Sequence, residues 1–382
     1  PAPDACARHR ATAFQIRHAA RAMNVFAITE ELDRPGRALF VGLQQAGVEL
    51  PVVCPPAAHE AREELRAAGV TLCDLEFRKR HDKAAAARLR NILEQGQFDI
   101  LHAFGNKGLQ NGLVATKGLP IKIIAYRGIV GNLSLLSPVS WMRHLNPRID
   151  RIICVADAVR DFFLNMRPAW LRPTPEKFVR IYKGHDLDWY HATPADLSRE
   201  NMPDDAFVVA CVANYRPRKG IELLVDAIST LPSDWNVHLM LVGNMQSERL
   251  DQAIARSGCA ARIHRLGHRV DAPSLSAACD VFVLPSIKRE GLARSLIEAM
   301  IYRRPCVATD CGGSPELIVD GESGLIVPTG DPKALAGAIS KLYQDATLRQ
   351  DLGNAARERI SRHFRIEDTI AQTLEVYRSL VA

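Results

Sequence analysis

Short apolar, β-branched runs recur along this chain, and a segment with helical spacing of apolar residues follows most of them. The first block holds MNVFAIT (23–29), ELPVVCP (49–55), VTLCDLE (70–76), FDILHAF (98–104), IKIIAYRG (121–128) and RIICVA (151–156). A polar, proline-bearing stretch, HDLDWYHATPADLSRENMPDDA (185–206), interrupts the pattern. The pattern then restarts with FVVACVA, VHLMLVG, IHRLG, VFVLP, PCVATD and GLIVP. Runs without polar alternation are strands buried on both faces, and helices between them force parallel crossovers. A chain of 382 residues is too long for one ordinary core. The expected fold class is therefore α/β, two doubly wound Rossmann-like domains facing a cleft. The boundaries read as a first domain over 23–185, a linker over 186–205 and a second domain over 206–365. A C-terminal helix over about 366–382 is expected to pack back onto the first domain. Residues 1–22 hold one acid and several arginines and lack the apolar core of a signal peptide. They read as a poorly ordered extension, or as translated sequence upstream of a start at Met23.

Composition excludes several classes. No run of about 18 apolar residues exists, so no membrane-spanning helix is expected. The nine cysteines are odd in number, scattered, and form no C-x-x-C. That pattern points to reduced thiols in a cytoplasmic protein, and away from a zinc site or a disulfide framework. Charge is uneven: residues 1–190 hold 27 Lys/Arg against 19 Asp/Glu, and the remainder holds 22 against 24. A basic half suggests an anionic partner. Aromatic residues make up only 6% of the chain and no RNA-binding signature occurs. An anionic membrane surface therefore ranks above nucleic acid, with peripheral attachment at the inner face of the cytoplasmic membrane. The residues expected to make it are Trp141, Met142, Phe162, Phe163, Trp170 and Leu171, which alternate with arginines.

The stretch PSIKREGLARSLIEAM (285–300) follows the apolar run Val281–Leu284. Glu290 falls in a strand-to-helix loop and Glu298 on the helix that follows. In open parallel sheets such loops line the ligand crevice. Two carboxylates at different depths could hold one ligand at two places, or be a loop acid and a solvated helix residue. The stretch ANYRPRKGIELLVDAI (213–228) sets Arg216, Arg218 and Lys219 before a helix, which is an anion site. In TDCGGSPELI (309–318), Gly312 and Gly313 permit close backbone approach and Ser314 can cap a helix.

In order, RKG (218–220), LVG (241–243), LGH (266–268), CDVFVLPS (279–286), the E-x7-E pair with EAM, GGSPELI (312–318) and GESGLIVP (321–328) resemble the family 4 retaining glycosyltransferases of the GT-B fold. The match spans about 206–330. The first half resembles the family more loosely, through DILHAF and IYKGHD. The resemblance implies a retaining, metal-independent, hexosyltransferase-like enzyme. It would move a sugar from a UDP-, GDP- or ADP-sugar to a glycan or glycolipid, in cell-surface polysaccharide or lipopolysaccharide biosynthesis. No further cofactor is implied. By the same resemblance Glu290 contacts the donor sugar and Glu298 the ribose. Lys219, with Arg216 and Arg218, meets the diphosphate, as do the backbone N–H groups near Leu292, Ala293 and Arg294. His268 and Arg269 lie at the base, Gly312 and Gly313 shape the sugar pocket, and Gly243 belongs to the donor side.

Three positions depart from the family pattern. Asn214 stands where an arginine is usual, and Arg127 where a histidine commonly contacts the sugar. The first strand leads to TEELDRPGRA, with Gly36 alone, so Arg34 and Arg37 are expected to serve in place of a Gly-Gly loop. Acceptor-side candidates are Gly36, Arg37, His102, Asn106 and Lys107. No D-x-D suited to a metal ends a strand; the DLD at 186–188 falls in the linker. Two other readings are a GT-B nucleotide-sugar 2-epimerase and a non-catalytic sugar-nucleotide-binding protein. The E-x7-E spacing favours the transferase.

Overall fold

The computed structural model describes residues 23–381, so the reading of residues 1–22 lies outside it. Two six-stranded sheets, parallel throughout, form the frame. The first holds β1 (Val25–Ile28), β2 (Val52–Val53), β3 (Ile100–Ala103), β4 (Lys122–Arg127), β5 (Arg151–Cys154) and β6 (Phe178–Arg180). Its strand order is β2-β1-β3-β4-β5-β6. The second holds β7 (Phe207–Val212), β8 (Val237–Val242), β9 (Ile263–Gly267), β10 (Val281–Leu284), β11 (Cys306–Thr309) and β12 (Leu325–Val327). Its order is β12-β11-β10-β7-β8-β9.

Alternation within a strand explains why the runs lack polar residues. Val209 and Cys211 of β7 pack in one core cluster with Val281 and Val283 of β10. Val208 and Ala210 pack in another, with Phe282 and Leu284. Both faces are covered, so every position must be apolar.

The chain passes between the domains twice, at adjacent places. His185 N donates to Phe364 O (2.7 Å) and Ile366 N to His185 O (3.3 Å). A Cβ on Gly184 would lie 2.0 Å from Arg365 O, so only glycine allows the two segments this close. The helix Ile366–Val381 then packs on the helix Arg34–Gln45, where Gly42 leaves room for Ile370, and Tyr377 is fully buried.

Several expectations change. VTLCDLE makes only an isolated bridge, Val52 to Leu72. β6 is three residues long and carries an arginine, too little pattern to read. The segment 186–205 contains 3-10 turns at Leu187–Trp189 and Leu197–Glu200. SPELIVDG contributes only the short helix Ser314–Leu317. Among the apolar residues expected at a membrane, Phe163 is wholly buried, and Phe162, Trp141 and Leu171 pack against the same core. Trp170 and Met142 remain exposed, at 81% and 51%. Cys54, Cys73, Cys154, Cys211, Cys259, Cys279, Cys306 and Cys311 are free thiols. Among the described residues no helix is long and apolar enough to cross a membrane.

Burial holds three histidines neutral. It pushes His102, His144 and His185 each down to about 3. The unfolded chain therefore binds more protons below about pH 6.5, so this stability is complete above that value and falls as pH drops towards 3. Each ring should contribute a loss of about 1.4 kcal/mol per pH unit below 6.5. Apparent Tm is expected to fall by roughly 5 °C between pH 6 and pH 5, read by scanning calorimetry. A flat Tm over that range would contradict neutral burial.

Candidate active site

A cleft of about 970 Å³ opens between the two sheets, lined from both domains. It lies at the carboxyl ends of the strands, where parallel sheets leave their loops.

The second domain's wall is built around one ion pair. Lys219 Nζ contacts both Glu290 oxygens, at 2.7 and 2.8 Å. Arg218 stands 3.6 Å from Glu290 and donates to Arg289 O at 3.1 Å. Glu290 is 5% exposed, and a buried carboxylate requires such partners. Arg216, Arg218, Lys219 and Asn214 line the cleft, while Glu290 sits behind Lys219 and does not. Asn214 accepts from Asn244 N at 2.9 Å and so ties two loops together. Gly243 lines the cleft beside it, and a Cβ there would meet Ala213 O at 2.2 Å.

Glu298 lines the same wall from the helix Arg294–Ile301, one turn after Arg294, which stands 3.4 Å away. Burial raises the Glu298 carboxyl above its ordinary value, against the pull of Arg294 and Arg34. Among the described residues, no side chain caps this helix. Leu292, Ala293 and Arg294 face the cleft at its open N-terminus.

Four groups of candidates lie or bond in ways the sequence did not indicate. Gly312 and Gly313 are not on the cleft wall. They pack behind the Glu290 loop, where Cβ atoms would meet Glu290 O at 2.2 Å and Gly291 O at 2.5 Å. Arg269 lines the cleft beside His268, but its guanidinium is spent on Asp271 (2.7 Å twice) and Glu200 (2.8 Å). Arg127 lines the cleft, yet its Nε donates to Ile129 O at 3.0 Å and its Nη2 to Gly131 O. It braces its own loop. Burial, with Arg143 nearby, lowers it to about 10. Arg37 pairs with Glu64 at 2.7 Å and Arg34 donates to Trp189 O.

On the first domain's wall, Gly36, His102 and Asn106 line the cleft, and Lys107 does not. The Lys107 N–H instead donates to Glu30 Oε1, at 2.5 Å. Sequence reasoning missed His144, Phe104, Tyr126, Lys183 and Asp33, all of which line it. Asp33 was legible as the cap before Pro35: it accepts from Gly36 N at 3.1 Å and pairs with Lys183. Burial raises its carboxyl, but Lys183 and the Gly36 N–H outweigh that and hold it below the usual range. Also missed was Glu316. Its oxygens accept from Asp157 N (2.7 Å) and Ala158 N (2.8 Å), and so cap a helix of the opposite domain. Among the described residues, no group of three or more His, Cys, Asp or Glu is placed to hold a metal ion.

Two family models match: glycosyl transferases group 1 over residues 206–345, and glycosyltransferase family 4 over residues 37–189. An alpha-maltose-1-phosphate synthase of Mycolicibacterium smegmatis is 32% identical over 265 residues, 64% of this chain and 67% of the relative. The chain belongs to the group 1, family 4 glycosyltransferases. A phosphatidyl-myo-inositol mannosyltransferase of the same organism is 24% identical over 350 residues, covering 88% of this chain and 87% of that one. The fold matches the crystal structure of Anabaena HepE in complex with UDP-glucose, with a TM-score of 0.75 at 22% identity, over 94% of this chain and 100% of that one. The chain is a glycosyltransferase of GT-B architecture.

The packing behind Glu290 yields a test. Gly312 has φ +59° and a Cβ would meet backbone, whereas Gly330 has φ +83° with nothing within 4 Å. Gly330→Ala should show only the left-handed backbone cost, about 1 kcal/mol. Gly312→Ala should cost roughly 2 kcal/mol more, through displacement of the Glu290 loop. Urea denaturation compares them, and equal losses would mean that the loop yields freely.

Proposed function

We propose that this glycosyltransferase moves a sugar from a nucleoside-diphosphate sugar to a hydroxyl of a glycan or glycolipid, with retention at the anomeric carbon. One observation carries the reading. Lys219, Arg218 and Arg216 stand on the same wall as Glu298 and as the uncapped N-terminus of the helix Arg294–Ile301. In this reading the donor diphosphate lies against those cations and open N–H groups. Breaking the sugar–phosphate bond leaves charge on the departing diphosphate, and fixed cations stabilise that charge as it forms. Glu298 receives the ribose hydroxyls. Glu290, anchored by Lys219, faces the donor sugar once Lys219 turns towards phosphate. HepE, crystallised with UDP-glucose, supports UDP among the candidate donor nucleotides. The relative named for phosphatidyl-myo-inositol supports a glycolipid acceptor. Cell-surface polysaccharide or lipopolysaccharide assembly is the process that suits such an enzyme.

The decisive experiment incubates the protein with UDP-, GDP- and ADP-sugars and lipid or glycan extracts, following nucleotide release and label transfer. Transfer from one donor class is expected. Release of no nucleotide from any donor would overturn the reading. On the active donor, Lys219→Ala should lose about 2–4 kcal/mol of transition-state stabilisation in kcat/KM. Glu298→Ala should chiefly raise donor KM, and Glu290→Gln should chiefly lower kcat. Wild-type constants for all three would remove them from the site.

The enzyme also docks, in this reading, on anionic membrane surface through the first domain. Leu136, Val139 and Met142 are 75%, 50% and 51% exposed within one short segment, next to Arg143. Basic residues flanking exposed apolar ones suit an interfacial anchor, and each contributes about 1 kcal/mol near an anionic surface, screened by salt. Co-sedimentation with phosphatidylglycerol liposomes at low salt, partly reversed at high salt, is expected. Equal behaviour with phosphatidylcholine liposomes would argue against it.

A further inference from the structure

The two domains meet beside the cleft along one short front. From the second domain come the Glu290 loop and the segment 312–316, which pack on each other: a Cβ on Gly313 would lie 2.5 Å from Gly291 O. From the first come Gly128, Val155 and the start of the helix Asp157–Leu164. A Cβ on Gly291 would lie 2.1 Å from Gly128 O and 3.0 Å from the Val155 side chain. That contact is a stop, because close-packed atoms limit how near the walls come. Leu292, next in the loop, adds apolar contact with the first domain's core.

Glu316 supplies a charged bond across the same front. Its oxygens accept from Asp157 N at 2.7 Å and Ala158 N at 2.8 Å. The Tyr182 hydroxyl hydrogen-bonds this carboxylate too; burial, with that charge beside it, pushes the phenol up to about 12. Tyr182 therefore stays an O–H donor at neutral pH. All three donors belong to the first domain. Both sides are held from behind. Arg359 donates to the Glu316 and Leu317 carbonyls at 2.7 Å each. Arg180 lies over the Tyr182 ring, 4.2 Å from its centroid, and stands 3.5 Å from Asp157. Bonds from a helix N-terminus to a carboxylate are charge-assisted and stronger than neutral ones. Glu316 itself does not line the cleft.

We propose that Glu316 is a positioning residue for sugar transfer: it clasps the first domain against the Gly291 stop, and so fixes the spacing of the two walls without touching donor or acceptor. The Gly291 contact sets a minimum distance and no maximum. Three bonds to one carboxylate set the maximum. Because Gly313 packs on Gly291, Glu316 and the Glu290 loop belong to one packed block, and a shift at one reaches the other. Transfer joins a sugar held on the second domain's wall to a group that meets it across the cleft, and a misplacement of about 1 Å costs up to about a hundredfold in rate. The role in transfer rests on the transferase reading; the clasp does not.

The test compares wild type with Glu316→Gln, Glu316→Ala and Tyr182→Phe, using UDP, GDP and ADP as binding probes. Nucleotide Kd by calorimetry should stay within about twofold of wild type, because Lys219 and Glu298 are untouched. Retained binding also shows that the variants are folded. On the active nucleotide-sugar, kcat should fall about tenfold for Glu316→Gln and about a hundredfold for Glu316→Ala, with donor KM little changed. Tyr182→Phe should cost less alone, and nothing further when added to Glu316→Ala. Small-angle X-ray scattering with nucleotide bound should give Glu316→Ala a larger radius of gyration than wild type. Glu316→Gln, which keeps the shape and one acceptor, carries the test if Glu316→Ala unfolds. A cap of purely local value would lower Tm and move neither kcat nor scattering. Wild-type kcat in the folded variants overturns the proposal, as does unchanged scattering. A rise in nucleotide Kd that matches the loss of kcat overturns it too, by placing Glu316 in the donor site. If wild type turns over no donor, the transferase reading falls. Wider scattering from the variant then keeps the clasp, and unchanged scattering removes it.

Discussion

The buried pair of Glu290 and Lys219 is the interaction on which the rest of the site depends. A carboxylate this deep is tolerated only with a cation in contact, and Lys219 supplies two contacts within 2.8 Å. Holding Glu290 there fixes the backbone on either side of it. Ser286 hydroxyl stands 3.4 Å from the carboxylate. Gly312 must lack a side chain so that Glu290 O can approach. One residue further, a Cβ on Gly291 would lie 2.1 Å from Gly128 O of the first domain. The ion pair thus sets the second domain's wall and, through Gly291, the distance at which the first domain closes on it.

The two walls differ in charge. Arg216, Arg218, Lys219, Arg269 and Arg294 come from the second domain against the one acid Glu298, whereas the first sets Glu30, Glu31 and Asp33 against Arg127 and Lys183. Between low-dielectric walls such an asymmetry orients a ligand with one anionic end before any contact forms. That polarity agrees with the proposed placement of the donor diphosphate beside Lys219.

The frame was legible because its signal is periodic. Runs such as FVVACVA and VFVLP must be apolar at every position when both faces are covered, and β7 and β10 are. Failures occurred where the signal is short or long-range. β6 has three residues, and VTLCDLE lost its ladder after one bridge. Phe163 resembled an interfacial residue beside arginines, yet it faces the core at zero exposure. Arg127 was read by position as a sugar contact, and the fold adds that its Nε and Nη2 each bond a carbonyl of its own loop. His144 carried no local signal at all. It reaches the end of β4 from a separate turn, and only the folded chain places its ring against Tyr126.

Two helices begin at the domain interface without a cap of their own. Ala156 offers the helix Asp157–Leu164 no side-chain bond, and Ala293 offers none to Arg294–Ile301. Each leaves backbone N–H groups that need an acceptor. For the first helix the acceptor is Glu316, which crosses from the other domain and takes two N–H groups. Arg359 holds the Glu316 and Leu317 carbonyls at 2.7 Å each, so that carboxylate is delivered by a fixed segment. Among the described residues, no side chain arrives at the second helix. One uncapped helix therefore joins the domains, while the other keeps its N–H groups for whatever enters the cleft. The same backbone chemistry serves cohesion at one end of the interface and leaves anion recognition open at the other. The difference rests on whether a carboxylate of the chain itself can reach.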